Sequence, residues 1–227
     1  KREDFSKYTK RIEMNSTEVL QPVQEIIDNV KLNKDKALHD YTFKFDKADI
    51  QEFKVPTEII EKSIENINPK LKQALIDARD NISKFHKAQI PKDWTMDVKE
   101  GVMAGQIIRP LNKVGCYIPG GRAAYPSSIL MTVIPAKIAG VKQIICCTPP
   151  DKDGNISDEI LAAAYIAGAT DIYKVGGAQA IAAMAYSTES IPNVDKIVGP
   201  GNIFVATAKK LVYGQVDIEF PADRESV

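Results

Sequence analysis

The chain predicts an α/β fold, a helical N-terminal segment followed by a parallel sheet with helices on both faces. Three observations carry that reading. Residues 1–92 are charged and hold apolar stripes at helical spacing. From residue 114 onward the composition shifts to small apolar residues, and strand-like runs alternate with helical ones. Three of these runs share one plan of apolar strand, glycine loop and small-residue helix: Val114–Gly140 (VGCYIPGGRAAYPSSILMTVIPAKIAG), residues 172–186 (IYKVGGAQAIAAMAY) and residues 196–211 (KIVGPGNIFVATAKKL). Repeated units of this kind set parallel strands side by side, with a ligand edge at the strand C-termini.

Taken in order, Asn15-Ser-Thr-Glu18 marks a helix start, with Glu18 placed to reach back to the cap. Val19, Val23, Ile26, Ile27 and Val30 give the first stripe; Ala37, Leu38, Tyr41 and Phe45 give a second helix. Thr57 is expected to cap a third, with Ile59, Ile60, Ser63, Ile64 and Ile67 inward. Asn68-Pro69 combines an N-cap with a first-position proline. The helix it opens runs to about Gln89 and carries Leu71, Ala74, Leu75, Ala78, Ile82 and Phe85, before Ile90-Pro91 stops it. These helices read as scaffold or oligomerisation elements.

Residues 93–113 alternate loosely about Glu100-Gly101, which predicts a hairpin and a hinge between two domains. Met96, Val98, Val102, Ala104 and Ile107 are expected to share a packed face. Past the first glycine turn, Ser127 or Ser128 is expected to cap a helix through Ile138 that Pro135 bends. Val141–Thr148 is almost wholly apolar, as suits a strand covered on both faces. Ser157 opens a helix that Gly168 ends. Ile172–Val175, Ile197-Val198 and Val216–Phe220 complete a Rossmann-like sheet of about five strands, with helices over 178–186 and 203–213 between them. The division that follows is 1–110, 111–220 and a short remainder, 221–227.

Thirty basic and thirty acidic residues balance to zero formal charge, which argues against a nucleic-acid binder working by bulk electrostatics. No apolar run approaches the ~20 residues a membrane helix needs. The opening KREDFSKYTKR lacks the apolar core of a signal peptide, so a cytoplasmic protein is expected. Cys116, Cys146 and Cys147 are the three cysteines, all in strand-like segments. Neighbours on a strand point to opposite faces, so Cys146 and Cys147 read as buried free thiols. His39 and His86, the two histidines, lack metal-ligand spacing.

The glycine loops carry the functional signal. Glycine lets a ligand approach the backbone, and the helix N-terminus behind it offers free N–H groups to an anion. Neither the dinucleotide fingerprint G-x-G-x-x-G nor the P-loop is present. The side chains beside the glycines therefore matter. Gln179 and Asn202 donate and accept without charge, which suits a ribose, an amide or a nicotinamide carboxamide. Tyr117, at the end of the first strand of the sheet, can stack and hydrogen-bond, or simply fill the core.

These residues fall into longer motifs. Tyr117-Ile-Pro-Gly-Gly121 with Ala124-Tyr-Pro-Ser-Ser128, Gly176-Gly-Ala-Gln-Ala-Ile-Ala182, Thr188-Glu-Ser190 and Val194-Asp-Lys-Ile-Val-Gly-Pro-Gly-Asn202 together resemble histidinol dehydrogenase. Tyr41-Thr-Phe-Lys-Phe-Asp46 resembles that family's N-terminal region. The resemblance implies a homodimeric, zinc-dependent enzyme of histidine biosynthesis that oxidises L-histidinol to L-histidine through histidinal in two NAD-linked steps. It places the family's NAD-contacting residues on Tyr117, Gln179 and Asn202. It also makes residues 1–110 part of the family's larger domain and 221–227 the start of the crossover back to it. The family's Ala-Gly-Pro-Ser-Glu turn reads Ala222-Asp-Arg-Glu-Ser226 here. Its catalytic Glu-His pair and zinc ligands are expected beyond Val227, so no catalytic or metal residue is assigned within this chain. The expectation is an NAD half-site that does not turn over histidinol alone. The alternative is a non-catalytic nucleotide-binding or dimerisation module derived from the family.

Overall fold

The computed structural model describes residues 16–120 and 125–219. The cap at Asn15, the turn residues Gly121 to Ala124, Phe220 and the Ala222–Ser226 segment lie outside the described residues.

Three helices come first: α1 (Ser16–Asp46), α2 (Thr57–Asn66) and α3 (Pro69–Ala88). The two stripes expected over 19–30 and 37–45 lie in α1, which breaks between them at Lys34 (φ 51°, ψ −129°). That break is held by the Thr188-Glu-Ser190 motif. The Lys34 ammonium donates to the carbonyls of Tyr186 and Ser187 at 3.2 and 2.9 Å, the Asp35 N–H donates to Glu189 at 2.9 Å, and the Ser190 hydroxyl donates to Asp35 at 2.5 Å. A cation on the last carbonyls of a helix satisfies groups that have no intrahelical partner.

Asn68 caps α3 as expected, its side-chain oxygen accepting from the Lys70 N–H. Thr57 does not cap α2. Pro56 holds the cap position and Thr57 is already helical, because proline's fixed φ suits the residue entering the helix. Ile60, Ser63 and Ile67 are buried, whereas Ile59, Ala74, Phe45 and Phe85 are exposed. The inward stripes are thus narrower than the sequence pattern, since each helix packs along one line on the helices that cover the sheet rather than on the sheet itself.

The antiparallel hairpin of β1 (Trp94–Lys99) and β2 (Val102–Gln106) forms about the expected turn. Its expected packed face does not. Met96 is 55% exposed, Val98 57% and Ile107 66%, and Val102 and Ala104 are exposed too. Alternation predicts a strand but not what covers it.

The sheet comprises β3 (Lys113–Tyr117), β4 (Gln143–Thr148), β5 (Asp171–Lys174), β6 (Lys196–Val198) and β7 (Asp217–Ile218). All pairings are parallel, in the order β5-β4-β3-β6-β7. Four helices connect the strands: α4 (Pro126–Ile138), α5 (Asp158–Ala167), α6 (Gly177–Tyr186) and α7 (Ile203–Val212). Neither Ser127 nor Ser128 caps α4; Tyr125 does so without a side-chain bond, and Pro126 at the first position supplies the start.

Strand alternation divides the core cleanly. Ile145, Cys147, Tyr117 and Ile197 face one side, with α1, α6 and α7. Cys116, Cys146, Ile144 and Ile172 face the other, with α2, α3, α4 and α5. The N-terminal helices therefore provide cover on both faces of the sheet. Residues 53–55 close the β5 edge: the Lys174 N–H donates to Phe53 at 2.8 Å, the Val55 N–H donates to Ile172 at 2.9 Å, and Lys54 pairs with Asp171 at 2.6 Å.

Candidate functional site

Strand order reverses at β3, where β4 lies on one side and β6 on the other. A cleft outside the strand C-termini is expected at such a point. One of about 1160 Å³ opens there, lined by residues following β3, β4, β5 and β6 and by both halves of α1, before and after its break. Tyr117, Gln179 and Asn202 all line it.

Tyr117 serves the core and the cleft together. Its side chain is buried, 4% exposed, and packs in the cluster beneath α6. Its hydroxyl oxygen accepts the Gly177 N–H at 3.1 Å. Burial pushes the phenol up to about 12, so it keeps its proton at neutral pH and can donate it to a ligand. Gln179 is only 1% exposed, and its Oε1 is buried without a partner among the described residues. Such a group is costly unless something else fills the role. Asn202 is exposed and caps α7, its oxygen accepting from the Val205 N–H at 3.1 Å. Its amide N–H groups are left to donate.

Two glycines make this arrangement sterically possible. Gly177 sits at φ 65°, and a Cβ there would run into the Gln179 side chain. Gly199 sits at φ 114°, and its Cβ would overlap the Tyr117 carbonyl. The Gly199 loop is also held by charge. Glu219 accepts the Gly199 N–H at 2.6 Å and the buried Lys209 ammonium at 2.5 Å, while Lys209 donates in turn to the Gly199 carbonyl.

Sequence reasoning left several polar members of the wall unassigned, Asp46 among them. Asp46, the last residue of α1, lines the cleft and keeps its Oδ2 buried without a partner among the described residues. Burial raises its carboxyl to about 6. One turn earlier Thr42 is fully buried with its Oγ1 also unpartnered. The available signal was an acidic residue closing an aromatic helix end, Tyr41-Thr-Phe-Lys-Phe-Asp46.

No group of three or more His, Cys, Asp or Glu among the described residues could hold a metal ion. The three cysteines are buried and free. Burial pushes the Cys147 thiol up, away from thiolate chemistry.

The fold and cleft define a class: a Rossmann-like α/β protein with its cleft at the switch point of a parallel sheet. Comparison narrows it. The model of the histidinol dehydrogenase family matches residues 9–226. Histidinol dehydrogenase of Methanothermobacter thermautotrophicus is 56% identical over 223 residues, covering 98% of this chain and 52% of that protein. The Methanococcus maripaludis protein of the same name is 54% identical over 220 residues, covering 96% and 51%. A crystal structure of histidinol dehydrogenase from Elizabethkingia anophelis superimposes with a TM-score of 0.85 at 41% identity, covering 98% of this chain and 48% of that one. The chain belongs to the histidinol dehydrogenase family. It spans about half the length of the curated relatives it matches.

Proposed function

We propose that this chain supplies the NAD-binding part of an enzyme that oxidises L-histidinol to L-histidine through histidinal, in the last steps of histidine biosynthesis. The reading rests on family membership and on one observation, the unpartnered buried oxygen of Gln179 in a cleft shared with Tyr117 and Asn202. A dinucleotide fits such a space, since typical small-molecule sites run to ~300–1,000 Å³. Three helices, α5, α6 and α7, begin at its wall with Ser157, Gly177 and Asn202, so backbone N–H groups are available to a pyrophosphate. Bound NAD would supply the hydride acceptor. Tyr117 and Asn202 would donate hydrogen bonds, and Gln179 would use its free oxygen to orient the carboxamide.

The family's zinc is another matter. The described residues offer no donor set for it, so no step of the reaction is assigned to a metal here. The proton-abstracting base and the zinc ligands are proposed to lie outside this chain, which leaves it unable to oxidise histidinol alone. The site is proposed to work in the cytoplasm, within a homodimer; no described helix is long and apolar enough to cross a membrane. A second reading, a non-catalytic dimerisation module, is favoured by the hairpin, where Met103 is 70% exposed and Trp94 51%.

Titration calorimetry tests the first reading. NAD should bind saturably, and Gln179→Ala and Asn202→Ala should each weaken it by about tenfold, the loss of one hydrogen bond to a buried ligand. Unchanged affinity in both variants overturns the site. NADH formation from histidinol by this chain alone overturns the placement of the catalytic groups outside it.

A further inference from the structure

We propose that Asp35, Glu189 and Ser190 form a clamp that sets the opening of the cleft, acting as positioning residues for the molecule bound there. The inference uses the NAD reading for its binding readout and adds a control that stands away from the bound molecule. The clamp acts on α1. Across the break the sequence reads Leu32-Asn-Lys-Asp-Lys36, with neither glycine nor proline. Sharp kinks of local origin need one of those residues or a disturbed hydrogen-bond ladder. Lys34 nevertheless stands at φ 51°, ψ −129°, a conformation suited to glycine. Local preference therefore favours a helix that runs on, and the bend is imposed by what the break packs against.

The two halves of α1 fold back on each other about this point. Asn29 and Tyr41 are 12 residues apart, which is about 18 Å along the axis of an unbroken helix. Here the Asn29 side-chain amide donates to the Tyr41 hydroxyl at 3.0 Å. Both arms reach the cleft, Glu25 and Ile26 before the break and Tyr41 and Asp46 after it, each roughly two to three turns from Lys34. The angle at Lys34 therefore fixes the distance between these parts of the wall.

The ties at the apex lead to the turn behind α6. Beside the Lys34 and Glu189 bonds, the Asp35 carboxylate accepts from the Ser190 hydroxyl at 2.5 Å and from the Ser190 N–H at 3.3 Å. Hydrogen bonds to a charged acceptor are the stronger kind. The turn is strained and locked in its own right. Ser187 sits at φ 62°, the Thr188 N–H donates to the Ile191 carbonyl at 2.9 Å, and the Ile191 N–H donates to the Thr188 hydroxyl at 3.1 Å. Strain of this sort persists where surrounding contacts over-determine it, and it gathers at clamps and switches. α6 links the turn to another part of the wall, because it begins at Gly177, carries Gln179 and ends at Tyr186. One turn thus holds α6 and both arms of α1 in a single arrangement around the cleft.

NAD is titrated into the wild-type chain, Ser190→Ala, Ser190→Thr and Glu189→Ala, and amide hydrogen exchange is followed by mass spectrometry with and without NAD. Ser190→Ala removes a hydrogen bond to a carboxylate and should weaken NAD by about fivefold or more, as the latched arrangement loses population. Exchange should quicken over residues 35–46 and stay unchanged over β4. Glu189→Ala should act in the same direction by about threefold; its side chain is exposed, so this variant serves if Ser190→Ala folds poorly. Ser190→Thr keeps the hydroxyl and should bind NAD as the wild type does. Linkage is reciprocal, so NAD should slow exchange over residues 187–191, which do not line the cleft. A role in stability alone would lower the urea midpoint and leave the NAD affinity of the folded variants unchanged. That result overturns the inference and leaves the NAD reading intact, as does a Ser190→Thr chain that binds no better than Ser190→Ala. A wild type that does not bind NAD overturns the NAD reading. Exchange over residues 35–46 then decides the clamp, quickened exchange in the variants supporting it and unchanged exchange overturning it.

Discussion

The Tyr117 hydroxyl accepts the backbone N–H of Gly177 at 3.1 Å, tying the end of β3 to the N-terminus of α6 across 60 residues of sequence. One oxygen thus registers the two glycine-loop units that frame the cleft. Tyr117→Phe keeps the ring and deletes that acceptor. A partly buried N–H then loses its partner, at a cost of about 1–2 kcal/mol. The expected outcome is a fall of that size in urea unfolding, together with weaker NAD binding. Retained stability alongside weaker binding would assign the hydroxyl to the ligand alone.

Gly199 and Gly214 provide an internal control for close approach. Both have left-handed φ, 114° and 97°, but an added Cβ at Gly214 meets nothing within 4 Å. Gly214→Ala should therefore show backbone strain alone, about 1 kcal/mol. Gly199→Ala adds overlap with the Tyr117 carbonyl, backbone that cannot swing aside, and should lose about 2 kcal/mol or more. Equal losses in thermal or urea unfolding would show that the β3–β6 approach is not tight.

The sheet was legible because its signals are local. A run such as Gln143–Thr148, apolar at every position but its ends, has few alternatives to a strand covered on both faces, and Cys146 and Cys147 do fall in opposite core layers. The placement of Gln179 and Asn202 at the cleft was legible because each follows a glycine loop at a helix start. What remained hidden depends on contacts far apart in sequence. The exposure of Met96 and Val98 depends on whether any layer reaches the hairpin, and alternation is blind to that. Asp46 reaches the cleft only because α1 breaks at Lys34 and the turn at 187–190 holds the break. A helical stripe read one window at a time does not show that a helix end from one unit supplies the wall of another.

Lys54 and Asp171 hold the covering segment on the β5 edge at 2.6 Å. Burial would raise the Asp171 carboxyl, but hydrogen bonds from Lys54, Thr170 and Gln143 outweigh it and set the group below its usual 3.8. A carboxyl depressed by folding contributes stability above its unfolded value and loses it as pH falls through the folded one. Lys54 is half exposed, so Lys54→Met should lose only about 0.5 kcal/mol at pH 7. At pH 2 to 3, with Asp171 taking up its proton, the difference between variant and wild type should shrink. A gap that stays constant with pH would mean the lysine stem, not its charge, covers the edge.

Asp46 titrates with the opposite sign. Its folded value near 6 lies above the ordinary 3.8, because burial disfavours the charged form. Between those two values the folded chain binds more protons than the unfolded one, so this contribution to stability falls as pH rises from about 4 to 6 and is flat above. Asp46→Asn removes the titrating charge while keeping the shape. Relative to wild type it should be more stable at pH 7 to 8 by about 1 kcal/mol, after allowance for solvent reaching the group, and should gain nothing at pH 4. Urea unfolding at the two pH values measures this directly. The same substitution is expected to weaken NAD. A variant that strengthens the fold and impairs the cleft is the signature of a residue kept for its ligand, because a merely structural carboxylate would lose stability and binding together. A loss of stability at pH 8 would mean that Asp46 has a partner inside the protein.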